Sequence, residues 1–294
     1  MHQLKQFARG IAGFIAGNDA LWNPFAKTVV RGSQFLCSVR DIHEADGIVS
    51  RHPRLREAFA PKVVLAGPFQ GMKYGSTRAF CSALHPKLLG AYENELAGLV
   101  SAAIGRNYPT LVDVGAADGY YAVGFALKNP GIRVIAFEQD PRAQAEFAKL
   151  AAANGISSGL DVRGKCEPPD LLTIAADPGL VIVDCEGYED PLLNPEVIRH
   201  FKDWDFIIET HDGFSPGITD RLEQRFAATH ETRRVEVIHD LDKADHLDFP
   251  LLKDLPRREV NRLLAENRQH ACLRWLACFS KSAAHRSAES IPPQ

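Results

Sequence analysis

The sequence predicts an α/β fold with a Rossmann-like, mostly parallel sheet flanked by helices, and three observations carry that prediction. Short apolar runs recur from Thr110 onward: Leu111–Val114, Arg133–Phe137, Leu180–Val183 and Phe206–Ile208. They lack polar alternation, as strands buried on both faces must. Helical patterns separate them, such as the Ala- and Glu-containing stretch Pro141–Ala153, and alternating strand and helix makes a parallel sheet. The first run also opens directly into a turn of small residues, Gly115-Ala-Ala-Asp-Gly119, at the position where an open α/β sheet carries its ligand.

The remaining elements follow along the chain. Residues 1–60 mix apolar and basic residues in helix-like stretches broken near Asn23-Pro24 and His52-Pro53, and are expected to form an N-terminal helical extension or cap. Lys62–Ala66 reads as a strand leading into the turn-rich segment Gly67–Tyr74. Pro86–Ile104 reads as one helix, with Leu88, Leu89, Tyr92, Leu96, Leu99 and Val100 at helical spacing. Beyond the core runs, Val235–Ile238 and Cys272–Phe279 are strand candidates separated by a helix over Arg257–Arg268. The main domain is expected over 61–280, and the Ser/Ala-rich stretch 281–294 is expected to be a disordered tail.

Bulk properties narrow the function classes. At 294 residues, 45% hydrophobic and 24% charged, the chain can bury a sizeable core. The formal net charge of −3 gives no global pull toward nucleic acid, so no nucleic-acid partner is expected. The first forty residues are locally basic (Lys5, Arg9, Lys27, Arg31 and Arg40 against Asp19) and read as a solvated arm. Six cysteines without a CxxC pair indicate neither a zinc cluster nor a disulfide framework, hence reduced thiols and a cytoplasmic protein. The apolar stretch Ile11–Gly17 is too short to cross a bilayer, so no transmembrane segment is expected. Nothing in the sequence speaks to oligomeric state.

The first turn selects among ligands. Gly115 and Ala117 let a ligand approach the backbone, and Gly119 permits a tight entry into the next helix. A dinucleotide fingerprint wants a third glycine where Tyr120 stands, which counts against NAD or FAD and against a nucleotide-dependent oxidoreductase. Asp113 would repel a pyrophosphate but suits the ammonium of a methionine moiety. Glu138, ending the second apolar run, can accept two hydrogen bonds from ribose hydroxyls. Together these residues favour S-adenosyl-L-methionine (SAM) as the cofactor.

The turn Asp113-Val-Gly-Ala-Ala-Asp-Gly-Tyr-Tyr121, the strand end Phe137-Glu138, the string Asp184-Cys-Glu-Gly-Tyr-Glu189 and Glu209-Thr-His211 resemble the FkbM-type group of class I SAM-dependent methyltransferases. The resemblance covers residues 61–280 and implies a seven-stranded sheet of order 3-2-1-4-5-7-6 and methyl transfer to an oxygen. It implies SAM contacts at Asp113, Gly115, Gly119 and Glu138, and places Cys166 beside the adenine. Tyr92-Glu93 resembles a Tyr-Glu pair of that group and, with Phe69, Met72 and Tyr74, is a candidate cover for the site. Gln139, where the group often has proline, and Asp118, where it usually has an uncharged residue, are departures that bear on the acceptor.

The acceptor side is read from the ends of the fourth and fifth core strands. Methyl transfer to a hydroxyl needs alignment and a base or metal to take the proton. Asp184 and His211 are the candidate catalytic residues, with histidine a suitable base near neutrality. Asp184, His211 and Asp212 are equally candidate ligands for a divalent cation such as Mg²⁺, the imidazole admitting Mn²⁺ or Zn²⁺. Glu186 reads as a helix-capping charge and Glu189 as an exposed first-turn acid, while Asp240 and His239 read as structural. The acceptor expected is a small hydroxylated molecule or a glycan-like one. Two other readings stay open: a non-catalytic SAM-binding scaffold that kept the sheet, and a nucleic-acid methyltransferase, which the acidic balance disfavours.

Overall fold

The computed structural model describes residues 36–37, 39–76, 79–80, 82–175, 177–266 and 273–282 of the 294. Most of the expected N-terminal basic arm, Arg40 excepted, and most of the expected tail lie outside the described residues. The chain divides into two compact units, Met1–Arg51 and His52–Gln294. In the first unit the described segment is helical over 39–51, with an Arg40–Glu44 ion pair at 3.0 Å one turn apart.

The second unit holds a seven-stranded sheet of order β3-β2-β1-β4-β5-β7-β6, the order the resemblance implies. Its strands are β1 (Thr110–Val114), β2 (Arg133–Phe137), β3 (Leu160–Arg163), β4 (Leu180–Val183), β5 (Asp205–His211), β6 (His230–Glu236) and β7 (Leu273–Ser280). The first five pair in parallel, and β7 runs antiparallel to both β5 and β6. Every residue of β4 and β5 is buried, which is why those runs lack polar alternation. Strand order reverses between β1 and β4, in register Leu111↔Leu180 through Val114↔Val183, so the crevice beyond their carboxyl ends is the expected ligand position.

Local chemistry sets the helix starts. Helix α1 (Pro53–Phe59) begins with proline at its first position, where a missing N–H costs nothing. Before the helix Pro141–Ala153, Asp140 accepts from the Arg142 N–H at 2.8 Å. Asn194 accepts from Glu196 and Val197 before the helix Pro195–His200. At the far end of the sheet Asp205, buried, takes Arg106, Tyr108 and the Ser280 N–H, tying β5 to β7 and to the helix before β1. The aromatic core under β4 and β5 is built by Phe201, Trp204, Phe206 and Phe226, packed edge to face.

The structure differs from the sequence reading in four places. Lys62–Ala66 makes only one antiparallel bridge, Val63↔Lys73, because the chain reverses at Gly67 and stays outside the sheet. Pro86–Ile104 is not one helix: α2 (Leu84–Leu89) ends at Gly90, and a second helix, α3 (Ala97–Arg106), follows a 3-10 turn. Gly90 has φ +78°, and a Cβ there would stand 2.0 Å from the Ala66 carbonyl oxygen, so tertiary contact overrides the helical pattern. Strand β6 begins at His230, well before Val235, and the helix of the 257–268 region is Arg257–Leu264. Among the described residues no helix is long and apolar enough to cross a membrane.

Candidate functional site

At the carboxyl ends of β1, β2 and β4 lies a cavity of about 350 Å³, within the roughly 300–1,000 Å³ usual for small-molecule sites. Its walls include Asp113, Gly115, Ala117, Glu138, Cys166, Asp184 and Glu186. The turn after β1 is held tightly. The Gly115 and Ala116 N–H groups donate to the Phe137 carbonyl at 2.9 and 3.0 Å. Gly115 has φ +82°, and a Cβ there would stand 1.7 Å from the Asp184 carbonyl oxygen. Ala117 also has positive φ, +46°, and its N–H donates to Glu138 Oε2 at 2.9 Å. Glu138 Oε1 accepts from the Asp140 N–H at 2.7 Å, so the carboxylate is fixed by two backbone donors while still facing the cavity. Gly119 does not line the cavity; it starts helix α4 (Tyr120–Lys128) against the Phe147 ring, which lies within 3 Å of where its Cβ would be.

Asp113 is buried and accepts from the Ala122 N–H at 3.1 Å. Burial pushes its carboxyl up to about 7; the Glu93 and Glu138 charges add to the rise and the Ala122 N–H opposes it. A cationic ligand group beside it would reverse that shift. Burial also pushes the Cys166 thiol up to about 12, helped by Asp170 and Glu167, which makes it an inert wall residue. Glu93 lines the cavity from the break after α2, with φ +48°, and accepts from the Tyr121 hydroxyl. Its backbone N–H donates to Glu266 Oε1, itself bound to the buried Lys243. Phe69, Met72 and Tyr74 are buried and do not line the cavity; Phe69 packs on Tyr120, Tyr121 and Phe125. Their expected covering role gives way to core packing.

The second cluster lies after β4 and β5. His211 is 2% exposed and does not line the cavity. Its Nδ1 meets Glu189 Oε1 at 2.8 Å, and its Nε2 lies 3.6 Å from Asp184, 3.7 Å from Glu186 and 3.8 Å from Glu209. Glu189 is fully buried, not exposed as expected, because Oε1 also accepts from the Cys185 and Gly187 N–H groups and closes the loop after β4. Glu186 is exposed with φ +57° and caps no helix. Burial alone would lower the His211 imidazole, but the Glu189 hydrogen bond and charge, with Glu209 and Glu186, raise it above 6.5. Phe214, 65% exposed, stacks on His211 with ring centroids 5.9 Å apart, an aromatic the sequence reading did not single out.

One donor atom each from Asp184, Glu186 and His211 lies within 4.8 Å of the others, a fit for a divalent cation. Asp212 does not join them. Its oxygens accept from the Gly217 N–H at 3.0 Å and from the Thr219 hydroxyl, so it pins the turn that leads into the helix Ile218–Phe226. Asp240 accepts from the Glu266 N–H at 2.9 Å.

No family model matches the chain. It is 32% identical over 127 residues to the release factor glutamine methyltransferase of Cereibacter sphaeroides, an alignment covering 42% of this chain and 41% of that protein. The chain thus spans less than half the length of that relative. Among solved structures it is similar to the O-methyltransferase TomG of Streptomyces achromogenes (TM-score 0.42, 14% identity, 64% of this chain and 80% of that one). It is also similar to an O-methyltransferase of Bacillus cereus (TM-score 0.43, 12% identity, 64% and 81%) and to the fibrillarin pre-rRNA processing protein of Methanococcus jannaschii (TM-score 0.41, 12% identity, 65% and 76%).

Proposed function

We propose that the chain is a SAM-dependent methyltransferase of the FkbM type, transferring methyl to a hydroxyl of a small or glycan-like acceptor. The observation that carries the reading is one cavity, at the reversal of strand order, walled by the Gly115 turn, Asp113, Glu138 and Asp184. The residues fit SAM: the small residues Gly115, Ala116 and Ala117 leave backbone on the cavity wall, and the acids Glu93, Asp113 and Glu138 line it. When bound, SAM supplies a methyl group on a sulfonium sulfur. Asp113 and Glu93 neutralise the ligand's ammonium, and Glu138, fixed by the Ala117 and Asp140 amides, takes the ribose hydroxyls. Cys166 and Phe137, on the cavity wall, would face the adenine.

On the acceptor side Asp184 faces the cavity and takes the hydroxyl proton. His211 acts through it: locked by Glu189, it holds Asp184 and Glu186 together despite their like charge. A second reading rests on the cation geometry. The His211 Nδ1–Glu189 bond aims Nε2 toward Asp184 and Glu186, as a carboxylate behind a ligating histidine does. In that reading Asp184, Glu186 and His211 hold a divalent cation, which lowers the acceptor hydroxyl's pKa.

Mass spectrometry of the purified protein should find SAM or S-adenosylhomocysteine, and labelled methyl should pass to a member of a hydroxylated-acceptor panel. Glu138→Gln should weaken S-adenosylhomocysteine about tenfold to a hundredfold in calorimetry, the loss of one charge-assisted contact. A protein that binds neither ligand refutes the reading. Methyl transfer that survives excess chelator refutes the cation arrangement and leaves Asp184 as the base.

A further inference from the structure

Lys87 stands on α2, Leu84-His-Pro-Lys-Leu-Leu89, yet it is only 2% exposed. Its Nζ donates to Asp118 Oδ1 at 2.9 Å, while Asp118 Oδ2 accepts from the Phe80 N–H. The Tyr92 and Tyr120 rings flank the ammonium, with centroids 4.8 and 5.2 Å away. An ammonium has three donors, and among the described residues Asp118 is the one hydrogen-bond acceptor for them. Burying a charge with donors unspent is costly. Lys87 also lines the cavity, so the unspent donors have somewhere to go.

The surroundings say what they would meet. Lys87 binds residue 118 of the first turn, Glu93 binds Tyr121 and Asp113 binds the Ala122 N–H. Within five residues of one turn, the cavity wall thus sets a cation beside two acids. A ligand end carrying a carboxylate and an ammonium on one carbon is the complement of that wall. A purely anionic end such as a phosphate would suit Lys87 but meet Asp113 and Glu93.

We infer that Lys87 receives the α-carboxylate of the methionyl end of the cofactor and makes the site selective for adenosyl ligands that keep it. This rests on the SAM reading above. The polar contact is a charge-assisted hydrogen bond in a buried setting, where the Asp118 partner keeps the ammonium in place without satisfying it.

The test compares two ligands by calorimetry: S-adenosylhomocysteine and its decarboxylated analogue, which keeps the amine. The native protein should bind the first about tenfold to a hundredfold more tightly. In Lys87→Met that preference should collapse to within about threefold, because affinity for the decarboxylated ligand is preserved. Should the lone substitution leave Asp118 uncompensated and the protein unfolded, Lys87→Met/Asp118→Asn removes both charges and is read the same way. Equal weakening of both ligands would assign Lys87 a purely structural role and overturn the inference, as would a preference that survives in the variants. Native protein that binds neither ligand would instead refute the SAM reading, and the inference with it.

Discussion

The turn after β1 and the loops after β4 and β5 share one end of one sheet but are built from different materials. In the first, backbone does most of the work: Gly115, Ala116 and Ala117 run close to β2 and β4, and Glu138 is fixed by two amides. In the second, side chains do it: His211 sits among Asp184, Glu186, Glu189 and Glu209, and the cluster holds because one buried acid, Glu189, locks the imidazole. A backbone cradle tolerates no added atom, whereas a charge cluster tolerates changes of shape but not of charge balance. That contrast orders the expected effects of mutation.

The largest effect belongs to the cradle. Gly115→Ala places a Cβ 1.7 Å from the Asp184 carbonyl at a positive φ, so strain and overpacking add. A destabilisation on the order of 4 kcal/mol is expected in urea unfolding, with loss of cofactor binding. A variant of native stability would mean that β4 yields freely and that the cradle is not backbone-limited.

Legibility from sequence divides along the same line. Gly115 and Ala117 are legible because the need for small residues after a strand is local, and Glu138 because it directly ends an apolar run. The parallel strands are legible from their runs, while their order is implied by the resemblance alone. The helix break at Gly90 is not legible, because the Ala66 carbonyl that enforces it comes from a hairpin 24 residues earlier. Glu189 was misread as exposed since its partner His211 is 22 residues away, and no periodicity reports a bond that tertiary packing creates. Lys87 carries no such signal, since a lysine among Leu88, Leu89 and His85 reads as a surface position until its Asp118 partner, 31 residues on, is known.

The second effect has the opposite sign. The Asp113 carboxyl sits at about 7 in the fold against 3.8 unfolded, so between those values the folded chain holds a proton the unfolded chain has lost. Stability from this group therefore falls as pH rises from 3.8 to 7. Asp113→Asn, which keeps an acceptor for the Ala122 amide, should gain about 2–4 kcal/mol at pH 8 and little at pH 4. Cofactor affinity should fall in the same variant. Melting curves across that range check the first expectation, and a constant difference between variant and native protein would show that Asp113 is already ionised in the fold.

In the charge cluster, Glu189→Gln keeps an oxygen for the Cys185 and Gly187 amides but removes the charge facing His211. A cost of about 2 kcal/mol is expected, that of a charge-assisted hydrogen bond. Methyl transfer should drop far more than cofactor affinity, since Asp184 and Glu186 lose the cation that holds them. Equal losses in both would place Glu189 in the cradle's support and erase the distinction between the two regions.

The smallest effect tests the edge of the cluster. Asp212 follows His211 directly, yet its oxygens turn away to the Gly217 amide and the Thr219 hydroxyl, and Arg274 Nη1 lies 3.9 Å off. The residue pins the loop that leads into the helix Ile218–Phe226, through the Gly217 amide just before it and the Thr219 hydroxyl on it. Asp212→Asn retains one acceptor and should cost about 0.5–1.5 kcal/mol in stability, the net worth of one hydrogen bond. Any response of methyl transfer to added or chelated cation should be the same as in the native chain, whereas Asp184→Asn and Glu186→Gln should abolish such a response if the cation arrangement holds. Loss of cation response in Asp212→Asn alone would mean that the loop releases Asp212 to the cluster when an ion is present, and the boundary drawn between loop contact and ligation would move by one residue.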